Sequence, residues 1–288
     1  MPFTTLLPLL SAIFVFYLGG FVLLKNPKSK LNILFGLLCL SIVIWFIGTF
    51  MMFLSDEDVR EEFWDRFVYA GVIFIPILMY HFSLIFTEFK GKKILYLGYF
   101  LSLAFLVLSR TDYFVSDVYE YSWGYHAKAK IFHNIFLIFF SVYLAIFYFN
   151  IYKYYKSTKE LIRRLQAKYI FLAFLVLLTG SMAYLPAYGI DIYPSSYLSG
   201  LFFAIILGYT VTKYHLMNTR IILTEFLVGL IAFIFLAETV FSKTFSETLL
   251  RGGLFFVFCF IGYLLIKSVM NEIKLREKLE IANNAKSE

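Results

Sequence analysis

Four histidines are the sharpest chemical groups in the chain: His81, His126, His133 and His215. A metal centre that can be read from sequence shows such residues at short, characteristic spacings. These four fall on separate segments, so no metal site is expected. Cys39 and Cys259 each lie inside an apolar run and form neither a CxxC pair nor a disulfide framework. Buried thiols are the plain reading of both. No GxSxG, HExxH, Walker loop or GxGxxG occurs, so no catalytic residue is assigned.

What remains is recognition. His81 stands in "YAGVIFIPILMYHFSLIFTEF", Tyr69 to Phe89, well inside an apolar stretch. A titratable side chain at membrane depth is a functional candidate. A hydrogen bond to a neighbouring helix that only steadies packing is the competing reading. Trp45, Tyr69, Tyr80 and His81 are the ligand-binding residues expected on this basis. Pro76 removes a backbone donor within the same span and is expected to kink it. In the transporter alternative, Thr49, Asn134, Ser181 and Tyr184 would line a path. "RTDYFVSDVYEYSWGYHAKAK", Arg110 to Lys130, is a long aromatic loop suited to anchoring at the headgroup level or to covering a pocket. "SDEDVREEFWDRF", Ser55 to Phe67, reads as a solvated acidic cap, with cation or peptide attraction as the sharper alternative.

The elements that hold these residues follow from composition. Of 288 residues, 61% are apolar and 21% aromatic, against about 45–50% apolar in ordinary domains. The apolar residues come in continuous runs long enough to cross a bilayer as helices, not in the short alternating segments of a membrane β-barrel. Nine spans are expected: Thr5–Leu24, Leu31–Leu54, Phe67–Thr87, Ile94–Ser109, Ile131–Tyr152, Tyr169–Pro186, Tyr197–Leu216, Ile221–Val240 and Leu254–Met270. With the N-terminus outside, 19 of the 26 Lys and Arg fall in inner segments and 7 in outer ones, which is the positive-inside pattern. "MPFTTLLPLLSAIFVFYLGG" lacks a basic n-region and so reads as a first span, not a cleaved signal. The net charge of +7 is assigned to orientation in the membrane and not to nucleic acid.

The expected fold class is therefore an all-α integral membrane protein of about nine transmembrane helices, arranged 7 + 2. The expected division is a seven-helix membrane module at 1–217, a helical hairpin at 218–270 and a cytoplasmic signalling helix at 271–288. No Pro or Gly interrupts Ile266 to Glu288, and apolar residues recur at Met270, Ile273, Leu275, Leu279 and Ala282. Such a helix can pair with a second copy as a coiled coil and pass a displacement across the bilayer. Met270, Ile273, Leu279 and Ala282 are the expected transmission residues.

"EKLEIANNAKSE" resembles the lead-in to the dimerisation and phosphoacceptor domain of bacterial sensor histidine kinases. "NPKSKLNILF" and "GVIFIPILMYHFSLIFTEF" resemble the N-terminal seven-helix module of some of these kinases, through Asn26, Pro27, Asn32, Pro76, His81 and Phe82. The resemblance implies a sensor and transmission region in the bacterial inner membrane, ending just before the phosphoacceptor domain. It implies a homodimer, a small-molecule, lipid or peptide signal, and a response regulator reached through the output domain. ATP and Mg²⁺ are expected only for that domain; no cofactor and no kinase activity are assigned to these residues. A small-solute transporter or channel and a non-catalytic membrane scaffold are the rival functions. The absence of an inverted repeat weighs against the first.

Overall fold

The computed structural model describes residues 3–54, 58–192, 195–214, 216, 223–240, 242 and 244–287, with backbone alone at 3–4, 58–62, 195–196, 223, 237, 240, 273–274 and 276–287. Two compact units result, 1–219 and 220–288.

Among the described residues the first unit holds eight α-helices: α1 Leu7–Lys25, α2 Lys30–Phe53, α3 Asp58–Val72, α4 Ile75–Thr87, α5 Lys92–Leu108, α6 Ile131–Ser157, α7 Leu161–Leu178 and α8 Ser199–Lys213. Local sequence sets their ends. Pro27 cannot continue α1, and Ser29 caps α2 by accepting from the Asn32 amide at 3.4 Å. Asn32 in turn donates to the Val22 carbonyl at 3.0 Å, which ties the two antiparallel helices at their joined ends. Further along, Gly19 lets α1 approach so closely that an added Cβ would run into Cys39 of α2. The second unit is a helical pair, α9 Leu223–Val240 and α10 Phe245–Ser287. At 43 residues, α10 is about 65 Å long at ~1.5 Å per residue.

Large apolar side chains face outward along these helices, among them Phe100, Val107 and Ile138 in the first unit and Phe256 and Phe260 in the second. In water that surface would be unsupportable; in hydrocarbon it is ordinary. Among the described residues, six helical stretches are long and apolar enough to cross a membrane, and Ser199–Lys213 and Thr224–Leu236 are shorter apolar helices. The protein is an all-α integral membrane protein.

Four details depart from the expectations. The Pro76 span is interrupted by a turn and not only bent: α3 ends at Val72, a turn takes Ile73 and Phe74, and α4 starts with Pro76 in its first turn. There the missing N–H has no helical acceptor to lose. The sixth span changes from α to 3-10 geometry, α7 giving way to a 3-10 stretch over Thr179–Tyr188 that contains Pro186. The basic inner loop is largely helical, since α6 runs to Ser157 and α7 begins at Leu161. Last, Arg110–Lys130 contains a hairpin, β1 Val115–Tyr121 paired antiparallel with β2 Gly124–Ala129. Gly124 at φ +140° closes its turn, and Asp117 at φ +56° stands where the register shifts between Ser116 and Val118.

Candidate functional site

The hairpin is fastened to the bundle at two places. On one side Arg66 of α3 donates to the Arg110 carbonyl at 3.0 Å, to Asp112 Oδ1 at 2.5 Å and to the Val115 carbonyl at 3.3 Å, and so holds the strand's entry. On the other, the Tyr121 hydroxyl donates to the Pro186 carbonyl at 2.6 Å and Trp123 Nε1 donates to Asp191 Oδ1 at 3.0 Å. Trp123 stacks on Tyr121 and meets Phe53 of α2 edge-on. The aromatic loop is thus a fixed cap over one end of the helices. Burial raises the Tyr121 phenol above its ordinary value, with Tyr119 and Asp191 adding to the effect. The "SDEDVREEFWDRF" stretch is not uniformly solvated either: Asp65 is 3% exposed and Arg66 is engaged. Ser55, Asp56 and Glu57 lie outside the described residues.

Beneath the cap is an aromatic enclosure around His133, which is fully buried near the start of α6. Tyr69, Phe114 and Tyr184 present their rings edge-to-face to the imidazole, each with centroids 5.5 Å away. His133 Nδ1 is 2.8 Å from the Tyr188 hydroxyl, and that hydroxyl donates to Asn134 Oδ1 at 2.6 Å. A phenol has one hydrogen. With it directed at Asn134, the bond from the imidazole requires the hydrogen to sit on His133 Nδ1. His133 Nε2 is buried with no hydrogen-bond partner among the described residues.

Two small cavities adjoin this enclosure, and Trp45 and Tyr184 line both. One, of about 20 Å³, is bordered by Thr49, Asp65, Tyr69, His126 and Tyr197. Its polar walls and size suit a single water. The other, of about 30 Å³, is apolar and lined by Val72, Ile75, Met79, Phe140, Leu178 and Ser181, among others. Val72 and Ile75 flank the break between α3 and α4; Leu178 and Ser181 flank the change from α to 3-10 helix. Two helix discontinuities therefore face one small void. Mid-helix 3-10 geometry often marks a hinge.

The expected ligand residues divide. Trp45 lines both cavities and meets Tyr69 only at the polar one; Tyr80 and His81 line neither. His81 Nδ1 is 2.8 Å from the Tyr99 hydroxyl of α5, with the two rings edge-to-face. The Tyr80 hydroxyl donates to the Gly91 carbonyl at 3.3 Å, and its ring meets Tyr143 edge-on. Both side chains thus tie α4 to the α5 region. Of the polar residues considered for a transport path, Thr49 and Ser181 bond to carbonyls of their own helical turns, and Asn134 accepts from Tyr188. Met270 lies on α10 and is 37% exposed. Ile273, Leu279 and Ala282 are on the same helix, with side chains outside the described residues. His215 also lies outside them. His133, Arg66 and Tyr188 are the site residues that sequence reasoning passed over. His133 carried a usable signal, a titratable group within an apolar run.

An apolar helical bundle with a fastened cap over a buried polar cluster defines a membrane-embedded receptor-like module. The chain matches the family model described as the N-terminal 7TM region of histidine kinase over residues 7–220, and it belongs to that family. It is a membrane sensor module of a histidine kinase. No curated protein matches the chain.

Proposed function

We propose that residues 7–220 detect a signal reaching them from outside the cell or from the lipid, and that α10 relays the response to a kinase output domain. A response regulator receives the phosphoryl group from that domain, which is also where ATP and Mg²⁺ act. The signal is a small molecule, a lipid or a peptide. The observation that carries this reading is the pair of helix discontinuities facing one cavity. A void of about 30 Å³ has no room for such a ligand as it stands, since ligand pockets typically hold ~300–1,000 Å³. Binding at Trp45, which lines this void and the neighbouring one bordered by Tyr69, has to part the helices, and the breaks after Val72 and Leu178 are where the backbone yields with the fewest lost hydrogen bonds. A ligand that binds only the parted state shifts the equilibrium toward it. Tyr80 and His81 keep α4 and α5 moving together.

In this reading α1, α2, α3 with α4, α5, α6, α7 and α8 make seven crossings and α9 and α10 two more. The N-terminus and the hairpin cap face outward, and α10 ends in the cytoplasm, in the bacterial inner membrane. The outward-facing apolar surface of α10 supports pairing with a second copy of the chain, continued as a coiled coil through Met270, Ile273, Leu279 and Ala282.

The test is a fusion of the whole chain to an intact kinase output domain, with residues inserted after Met270. Two inserted residues turn everything beyond them by about 200°, while seven return it to nearly the same face. Autophosphorylation is expected to be misregulated by the two-residue insertion and restored by the seven-residue one. Signalling indifferent to the two-residue insertion rules out transmission through α10.

A further inference from the structure

At the end of the first unit opposite the hairpin, the α1–α2 turn, the close of α4, the first turn of α7 and the residues after α8 enclose a cavity of about 470 Å³. That is the volume of a small-molecule site and more than ten times that of either void beneath the cap. Leu31, Ile85, Phe86, Ile162 and Leu216 give it apolar walls. Its polar lining includes two opposite charges that the fold leaves under-used. Lys30 makes no ion pair among the described residues. Glu88 meets a cation only at 3.9 Å, at Arg163, and its side chain is 81% exposed. Arg163 is held more closely by Glu160, at 3.0 Å. Lys30 and Glu88 line the same cavity without forming a pair within 4.0 Å.

The surroundings of each charge favour different partners. Beside Lys30 are the positive end of α2 and the Ser29 hydroxyl, whose oxygen accepts from the Asn32 amide and whose hydrogen remains available. Together they suit a phosphate oxygen. Glu160 is paired with Arg163, while Glu88, exposed and met by Arg163 only at 3.9 Å, keeps the capacity to accept from an ammonium group. The apolar walls suit the carbon chain of an amphiphile.

We propose that this cavity binds a zwitterionic phosphate ester of the phosphoethanolamine type, with its phosphate at Lys30 and Ser29 and its ammonium at Glu88. The same headgroup chemistry is available from phosphatidylethanolamine in the bilayer and from free phosphoethanolamine. The site is separate from the cavities under the cap and does not depend on how they respond to a signal.

Native mass spectrometry of the full chain in detergent tests this with three probes: short-chain phosphatidylethanolamine, short-chain phosphatidylglycerol and free phosphoethanolamine. The ethanolamine lipid is expected to bind about tenfold more tightly than the glycerol lipid, the worth of one charge-assisted contact. Glu88→Gln removes that preference and leaves glycerol-lipid binding in place; Lys30→Gln weakens both. Free phosphoethanolamine binding as tightly as the lipid assigns the soluble source, and binding that requires the acyl chains assigns the bilayer. Equal binding of the two lipids by the unaltered chain, a preference that survives Glu88→Gln, or no binding of any probe overturns the proposal. The comparison in the unaltered chain needs no variant to fold.

Discussion

His133 has one satisfied ring nitrogen and one buried without a partner among the described residues, in a setting otherwise made of aromatic edges. A buried polar atom left unsatisfied costs about 1–3 kcal/mol, while a typical net hydrogen bond contributes about 1 kcal/mol. Phe has nearly the same shape and would keep the contacts with Tyr69, Phe114 and Tyr184. The Tyr188 hydroxyl, on a half-buried side chain, would keep its bond to Asn134. His133→Phe is therefore expected to raise stability by about 1 kcal/mol, read as a higher unfolding midpoint in detergent. A fall of that size would show that Nε2 has a partner, such as an ordered water, that the imidazole needs.

The cap, the broken α3–α4 helix and the 3-10 stretch carry their meaning as elements. Arg66 gathers three acceptors from the loop that enters β1, and its side chain is 21% exposed. Arg66→Gln is expected to cost about 2 kcal/mol, one or two charge-assisted bonds after allowance for partial solvation. Hydrogen exchange should quicken in β1 and β2 and stay unchanged in α6; unchanged exchange in the hairpin would mean that Tyr121 and Trp123 hold the cap alone. Pro76 makes the opposite case. In the first turn of α4 its missing N–H loses no helical bond, so Pro76→Ala should alter stability by less than about 1 kcal/mol. A gain in stability of about 3 kcal/mol would contradict that placement, since it is what removing a proline from a helix interior releases.

Which elements could be read in advance follows from how local their causes are. The Asn26–Ser29 turn was legible because Pro27 and the Ser29 cap act within a few residues. The long unbroken α10 was legible because nothing interrupts it. The hairpin is less legible: "VSDVYEY" alternates and "SWG" can turn, but the strands are short and their aromatic residues suit an interfacial loop equally well. The 3-10 stretch over Thr179–Tyr188 has no comparable local mark beyond Pro186.

Across the whole molecule, the outward-facing apolar surface places the protein in lipid, and the family match covers residues 7–220. The proposed orientation is open to a direct measurement. Of single cysteines at Ser122, in the hairpin turn, and at Ser157, at the end of α6, only the first is expected to react with a membrane-impermeant maleimide in intact cells, and the second only after the cells are permeabilised. Ser122 should be labelled from outside; labelling of Ser157 from outside would invert the topology.

The sequence by itself determined the solvent, the helical class and the sensor-kinase resemblance, because hydropathy, run length and turn residues act over short stretches and survive without coordinates. Only the tertiary structure decided that Trp45 and Tyr69 border one cavity from which Tyr80 and His81 are absent, that His133 pairs with Tyr188, and that Arg66 fastens the hairpin. Side chains far apart in the chain become neighbours through the rotation of each helix about its axis. That rotation is set by packing against every other helix at once, and no short window of sequence contains it.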